Sequence, residues 1–139
     1  MSLFDKLMAV DDSVIREEKT KEVHSDRMSA LLGVDTSITI KKLPFRQVKK
    51  IVASSMKDNG RIDPDKDVDA QCHLIRLAVT DIPWGNEDLQ RKFGASDPKD
   101  LVEKMFDSDI GVIADEVLAL AGYLKTEEET EEIEETVKN

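Results

Sequence analysis

The sequence has few of the residues that build metal sites and catalytic centres. It contains one cysteine, Cys72, and two histidines among 139 residues. A single cysteine excludes an internal disulfide and every zinc or iron–sulfur site that needs several cysteines. The sequence also lacks a glycine-rich phosphate loop, and its two histidines are too far apart in sequence to indicate an acid–base site. We therefore expect no enzymatic activity, no metal and no cofactor.

Long apolar runs and aromatic residues are also scarce. Only 4% of the residues are aromatic, and no apolar run approaches the ~18 residues that cross a bilayer. The first ten residues, MSLFDKLMAV, carry Asp5 and Lys6 where a signal peptide needs an unbroken apolar stretch. We therefore expect a protein that stays in the cytoplasm and makes no use of a membrane.

Acidic residues outnumber basic ones by 30 to 20, which gives a net charge of −10. This charge repels nucleic acid and acidic membranes, so basic or apolar protein partners are expected. The segment from Lys125 to Asn139 contains seven glutamates and two lysines and has a net charge of −5. Because it has almost nothing apolar to bury, we interpret residues 125–139 as a solvated acidic tail.

An amphipathic arm is predicted at the other end of the chain. Leu3, Phe4, Leu7 and Met8 lie on one face of two helical turns, and a polar stretch follows. A helix this short is marginal in water, so it must dock on its own core or on a partner to be ordered. We assign residues 1–19 to this arm and its charged linker, and residues 20–124 to a single globular body.

The body is predicted to be an α+β domain, predominantly α-helical, with about five helices and one short strand pair near its N-terminal half. Ser37–Leu43 alternates apolar and polar residues as a half-buried strand does, and the segment Lys21–His24 is its expected partner. Turn, capping and glycine signals predict the helical segments, which are Met28–Leu32 ending at Gly33, a helix starting at Pro44, Val68–Val79 with Asp67 as its cap, Asn86–Lys92, Asp97–Phe106 and Ile110–Leu124.

The last of these helices has an unusually wide apolar face, covering an arc of roughly 160°. Such a helix either lies deep in the body or presents part of its width to another molecule. Together with the arm it supplies the residues that we expect to contact a partner, which are Leu3, Phe4, Leu7, Val117, Leu118, Leu120 and Leu124.

One basic block interrupts the acidic sequence. No acidic residue occurs from Lys41 through Lys57, and the block contains Lys41, Lys42, Arg46, Lys49, Lys50 and Lys57. It is interpreted either as a docking face for an acidic partner, including another subunit's glutamate tail, or as an ordinary solvated helix face. Nucleic-acid binding is less well supported, because only Phe45 is interleaved as a stacking residue.

Two patterns resemble chemical sites and fail on their spacing. The acidic stretch that begins at Asp63 has Val68 where a calcium loop needs glycine and Leu74 where it needs glutamate, so we interpret it as a polar loop that leads to a helix cap. Cys72 and His73 project about 100° apart on a helix and cannot form a catalytic pair.

In the order of these elements the sequence resembles the XkdN-like tail assembly chaperones of contractile-tailed phages and prophages. The matching segments cover roughly Ile38–Asn139 and are ITIKKLPFRQVKKIV, DVDAQCHLIRLAV, LQRKFGASDPKDLVEKMF, IADEVLALAGYL and the closing VKN. LQRKFGASDPKDLVEKM is the most specific of them. The stretch Met28–Val34 and the turn Pro83–Gly85 are more elaborate than the family's pattern.

The resemblance implies a non-enzymatic chaperone in the bacterial host cytoplasm. Such a protein binds the tape measure protein and keeps it soluble during tail tube assembly. It also implies a homo-oligomer and a longer companion made by ribosomal frameshifting. The alternatives are a structural tail component, such as an adaptor or terminator retained in the virion, and a small acidic protein-binding regulator.

Overall fold

The chain is described by a computed structural model over residues 2–57 and 59–123. Leu124 and the predicted acidic tail, residues 125–139, lie outside the described residues. The elements in chain order are α1 (Leu3–Met8), α2 (Asp12–Arg16), β1 (Thr20–His24), α3 (Asp26–Leu32), β2 (Ser37–Lys41), α4 (Phe45–Ala53), α5 (Pro64–Ala78), α6 (Glu87–Phe93), α7 (Pro98–Phe106), a 3₁₀ turn (Asp107–Asp109) and α8 (Ile110–Leu120).

The fold is α+β and mostly helical, as the sequence predicts. The described residues contain eight α-helices, of which six, α3–α8, lie in the body, for which about five were expected. The other two, α1 and α2, are short and each carry a local side-chain cap at the N-terminus. Helix α1 is the predicted arm, and α2 lies in the stretch that was predicted to be a linker.

The predicted strand pair forms an antiparallel two-stranded sheet, in which Val23 of β1 pairs with Ile38 of β2. Val23, Ile38 and Ile40 are buried, while the intervening Thr39 is exposed. The period-two pattern therefore identifies the face of β2 that packs on the helices.

Helix α5 is the central helix, and it packs against α4, α7, α8 and β2. It begins at Pro64, four residues before the predicted start at Val68. The carboxylate of Asp63 is the cap, since it accepts a hydrogen bond from the backbone N–H of Asp65 at 3.0 Å. The prediction of Asp67 as the cap was wrong, because the Asp–Pro signal lies one helical turn earlier.

Helix α8 ends at Leu120, and Gly122 follows it in the left-handed conformation with φ of 78°. The helix was predicted to continue to Leu124, but the glycine turns the backbone away after Ala121. Its buried residues are Ile110, Ile113, Ala114 and Val117. The wide apolar arc is thus explained mainly by its position deep in the body.

The loop after α5 is fixed to the core by Trp84. Its indole N–H donates to the backbone carbonyl of Val79 at 3.0 Å, and its ring contacts that of Phe106 edge-on at 6.0 Å. Among the described residues, no helix combines the length and apolar character needed to cross a membrane.

Candidate protein-binding surfaces

The arm patch, formed by Leu3, Phe4, Leu7 and Met8 on α1, is the most exposed group of apolar side chains that the sequence predicted. Leu3 is 72% exposed, Phe4 69% and Leu7 58%, and α1 has no buried residue. The helix begins in a capping box, in which Ser2 and Asp5 exchange hydrogen bonds. Local sequence thus encodes the start of α1, but no core packing covers its apolar side chains, as is typical of a surface that binds another chain.

Two more exposed apolar residues follow on α2, where the sequence analysis predicted only a polar stretch. Asp11 caps this helix by accepting from the N–H of Ser13 at 2.8 Å, and Val14 and Ile15 are exposed. Both line a cavity of about 630 Å³ that also borders Phe45 of α4. An apolar pair inside a charged segment was the signal that could have identified them.

A groove between α3 and α6, here called the α3–α6 groove, is a further apolar surface that the sequence analysis missed. Its volume is about 490 Å³. Leu31 and Leu32 of α3 are exposed on one side, and Leu89 and Phe93 of α6 are half-buried on the other. Met28 and Met105 also line it. Three separate elements contribute to this groove, so no single periodic pattern in the sequence reveals it.

The rim of the α3–α6 groove is basic on one side. An adjoining cavity of about 590 Å³ shares Leu31, Lys92 and Phe93 with it and adds two cations, Arg27 and Lys104, and one carboxylate, Asp107. The Nε atom of Arg27 is buried without a hydrogen-bond partner among the described residues. A partner with apolar side chains flanked by carboxylates fits this combination of surfaces.

The candidate contacts on α8 differ from those on the arm. Val117 has 0% exposure, so it belongs to the core and offers no surface to another chain in this conformation. Leu118 and Leu120 are partly buried and pack against the core. Leu124 lies outside the described residues.

The basic block lies on the end of β2, the loop after it and α4, except for Lys57, which is exposed beyond the end of α4. Lys42, Arg46, Lys49 and Lys50 are exposed, and Lys41 is half-buried. None of these five cations forms an ion pair within residues 2–57 and 59–123.

Cys72 and His73 occupy different environments. Burial, reinforced by the nearby carboxylate of Glu103, raises the pKa of the Cys72 thiol to about 11. His73 is exposed beside Arg76 in a polar crevice of about 240 Å³, and partial burial together with that guanidinium lowers the pKa of its imidazole. A protonated, shielded thiol is a poor nucleophile, so Cys72 serves as a core side chain.

The polar crevice is occupied by its own ion pair. Lys99 Nζ lies 2.8 Å from Asp69 Oδ1 across it. Asp63, the first residue of the acidic stretch, is used as the α5 cap. No group of three side chains able to ligate a metal occurs in the part of the chain that the structure describes.

Comparison with known proteins gives one family. The chain matches the Phage XkdN-like tail assembly chaperone proteins over residues 4–138, a range that includes most of the arm and all but the last residue of the segment Ile38–Asn139. No curated protein and no solved structure matches the chain. Since the match spans nearly all of its residues, this chain belongs to the family of phage XkdN-like tail assembly chaperone proteins.

Proposed function

We propose that this tail assembly chaperone binds the tape measure protein and keeps it soluble in the host cytoplasm while the tail tube is assembled. Two observations support the proposal. The chain belongs to a family of tail assembly chaperones, and it exposes apolar side chains on α1 that no part of its own core covers.

The arm patch is the first contact surface in this proposal. Leu3, Phe4 and Leu7 lie on a six-residue helix, which is too short to be stable without tertiary contacts. Docking on a client helix would bury these side chains, and each fully buried side chain of this size contributes about 1.5–3 kcal/mol. We assign Leu118, Leu120 and Leu124 a secondary role at the C-terminal end of the body.

The α3–α6 groove is the second contact surface. Its exposed leucines, Leu31 and Leu32, would contact the apolar side of a client helix, and Lys92 would pair with carboxylates along its edge. The net charge of −10 keeps the complex soluble through mutual repulsion. The same proposal includes self-association and a longer frameshifted companion. This chain and the longer companion would present the same two surfaces.

Co-expression with the tape measure protein tests the proposal. We expect the client to be soluble with the native chain and to aggregate with a Leu3→Ser/Phe4→Ser/Leu7→Ser variant, whose exposed substitutions leave the core intact. Ile62→Ser/Val112→Ser is the matched control, because Ile62 and Val112 are similarly exposed but lie outside both surfaces.

Two results would contradict parts of this proposal. A client that aggregates equally with and without the native chain overturns the chaperone role toward the tape measure protein. A triple variant as effective as the native chain removes the arm patch from the contact, and Leu31→Ser/Leu32→Ser then tests the groove alone. Detection of the chain in purified virions would instead indicate a structural component.

A further inference from the structure

The basic face, defined as Lys41, Lys42, Arg46, Lys49 and Lys50, is a cationic surface without ion-pair partners in the described part of an acidic protein. Arg46, Lys49 and Lys50 are spaced i, i+3 and i+4 on α4, so their side chains lie on one side of the helix. Elsewhere, four exposed cations pair with a carboxylate, namely Lys21, Arg91, Lys99 and Lys104. Other exposed cations, such as Arg61, Lys66 and Lys92, form no ion pair within the described residues, but they are separated along the chain. The basic face is distinguished by the concentration of five unpaired cations within residues 41–50.

The described chain ends beside this face. The ring of Tyr123 lies against that of Phe45, the first residue of α4, with ring centroids 6.1 Å apart. Ala121 and Phe45 also border the same cavity as Lys42. The last described residue, Tyr123, therefore lies next to the N-terminal end of α4.

The segment that continues from this point has the opposite charge. Residues 125–139 contain seven glutamates and two lysines. Fifteen residues span roughly 50 Å when extended and about 22 Å as a helix, whereas the nine residues of α4 span about 14 Å. The segment is long enough to cover the basic face in either conformation.

We propose that residues 125–139 dock across the basic face of their own chain, with their glutamates paired to Arg46, Lys49 and Lys50. The attachment at Tyr123 makes this pairing intramolecular, which raises the effective concentration of the carboxylates at the face. The docked segment conceals the basic face from other polyanions, including nucleic acid. This inference is independent of the client proposed above.

Other carboxylates near the face do not replace the segment. Glu17 and Glu18 line the cavity that contains Lys42, but neither forms an ion pair with the basic face. Asp63, the cap of α5, already accepts a hydrogen bond from a backbone N–H, and Asp69 of α5 is already paired with Lys99.

Paramagnetic relaxation in the full-length protein tests the proposal. A nitroxide is attached to a Thr136→Cys variant. The native Cys72 does not compete for the label, because its side chain is buried, with 1% exposure. We expect the amide signals of residues 41–50 to lose most of their intensity. They should recover in 1 M NaCl, where the Debye length falls to about 3 Å.

Charge reversal identifies the cations that bind residues 125–139. The variant Arg46→Glu/Lys49→Glu/Lys50→Glu should restore the signals of residues 41–50 at low salt. Arg61→Glu/Lys66→Glu/Lys92→Glu is the control, because it changes the net charge equally at exposed cations outside the basic face. Signals that remain weak in the first variant, or recover in the control, would contradict the assignment. If the first variant does not fold, the salt dependence of the signals in the protein with the native basic face still tests whether charge pairing holds the segment.

Mixing isotopically labelled protein without nitroxide and unlabelled protein with nitroxide separates the two possible arrangements. The comparison is with the sample in which each chain carries both the isotope label and the nitroxide. Signal loss in that sample, and none in the mixture, supports docking within one chain. Equal loss in the mixture shows that a second copy supplies the segment and overturns the intramolecular proposal. A well-dispersed spectrum with no loss at residues 41–50 overturns docking altogether.

Discussion

Ser25 and Asp109 are connected by a hydrogen bond between residues 84 positions apart, in which the Ser25 hydroxyl donates to the Asp109 carboxylate at 2.7 Å. The same carboxylate oxygen accepts from the backbone N–H of Arg27 at 2.9 Å. Ser25 also caps α3, since its Oγ accepts from the N–H of Met28 at 3.1 Å. This arrangement fixes the start of α3 against the 3₁₀ turn and thereby positions one side of the α3–α6 groove.

Replacing Ser25 by alanine should lower the free energy of unfolding by about 1–3 kcal/mol, because α3 loses its cap and Asp109 loses a buried donor. Urea denaturation measures the change. Ser96→Ala is the matched control, since Ser96 is an exposed serine whose hydroxyl lies 3.3 Å from Asp100. We expect the control to stay within about 0.5 kcal/mol of the native protein. Equal losses in the two variants would show that the Ser25–Asp109 contact contributes nothing specific.

Much of the fold follows from local signals. Gly33 and Gly94 end α3 and α6 in the left-handed conformation, as their positions after helical segments predict. Asp97 caps α7 ahead of Pro98. Such signals act within one helical turn, so they can be recognised without knowledge of the tertiary structure.

The predictions from sequence fail where packing between distant parts of the chain determines the structure. Val117 was predicted as a contact because α8 is apolar around much of its circumference, but packing against α5 and the sheet buries it. A hydrophobic arc reveals how much of a helix is covered and not which molecule covers it. The Ser25–Asp109 bond joins distant residues and has no sequence signal at all.

The stability of α7 should depend on pH through Asp100. The backbone N–H of Ser96, and secondarily the ammonium of Lys104, hold the pKa of this carboxyl below its ordinary value of 3.8. Folding therefore favours the charged form, and the resulting stabilisation is full above pH 3.8 and is lost as the pH falls through the lower folded-state pKa. Asp100→Asn should be less stable than the native protein at about pH 7 and should approach it at about pH 3.

Chemical denaturation across this pH range measures the difference between the two proteins. Asp81→Asn is the control, because Asp81 is exposed and accepts no hydrogen bond within the described residues. Its difference from the native protein should stay small at both ends of the range. A destabilisation by Asp100→Asn that is constant with pH would contradict the electrostatic origin.

Part of the exposed apolar surface could be predicted from the sequence. The apolar spacing of Leu3, Phe4 and Leu7 identified a patch that the body does not cover, because the short arm has too few residues to build a core of its own. The α3–α6 groove was missed because α3, α6 and α7 each contribute a part of it. A surface assembled from three elements depends on their relative placement, which periodicity within one element does not encode.

Paired substitutions on α8 and α1 should separate folding from binding. Ile113 on α8 has 0% exposure, so Ile113→Ala should lower the free energy of unfolding by about 2–5 kcal/mol through the cavity it creates. Leu3 on α1 is 72% exposed, so Leu3→Ala should change that free energy by less than about 0.5 kcal/mol. Denaturant unfolding followed by Trp84 fluorescence measures both. In the co-expression assay, Leu3→Ala should reduce client solubility while the chaperone itself remains folded.

A large loss of stability from Leu3→Ala would mean that α1 packs on its own body in solution, which would leave the arm patch unavailable to a client.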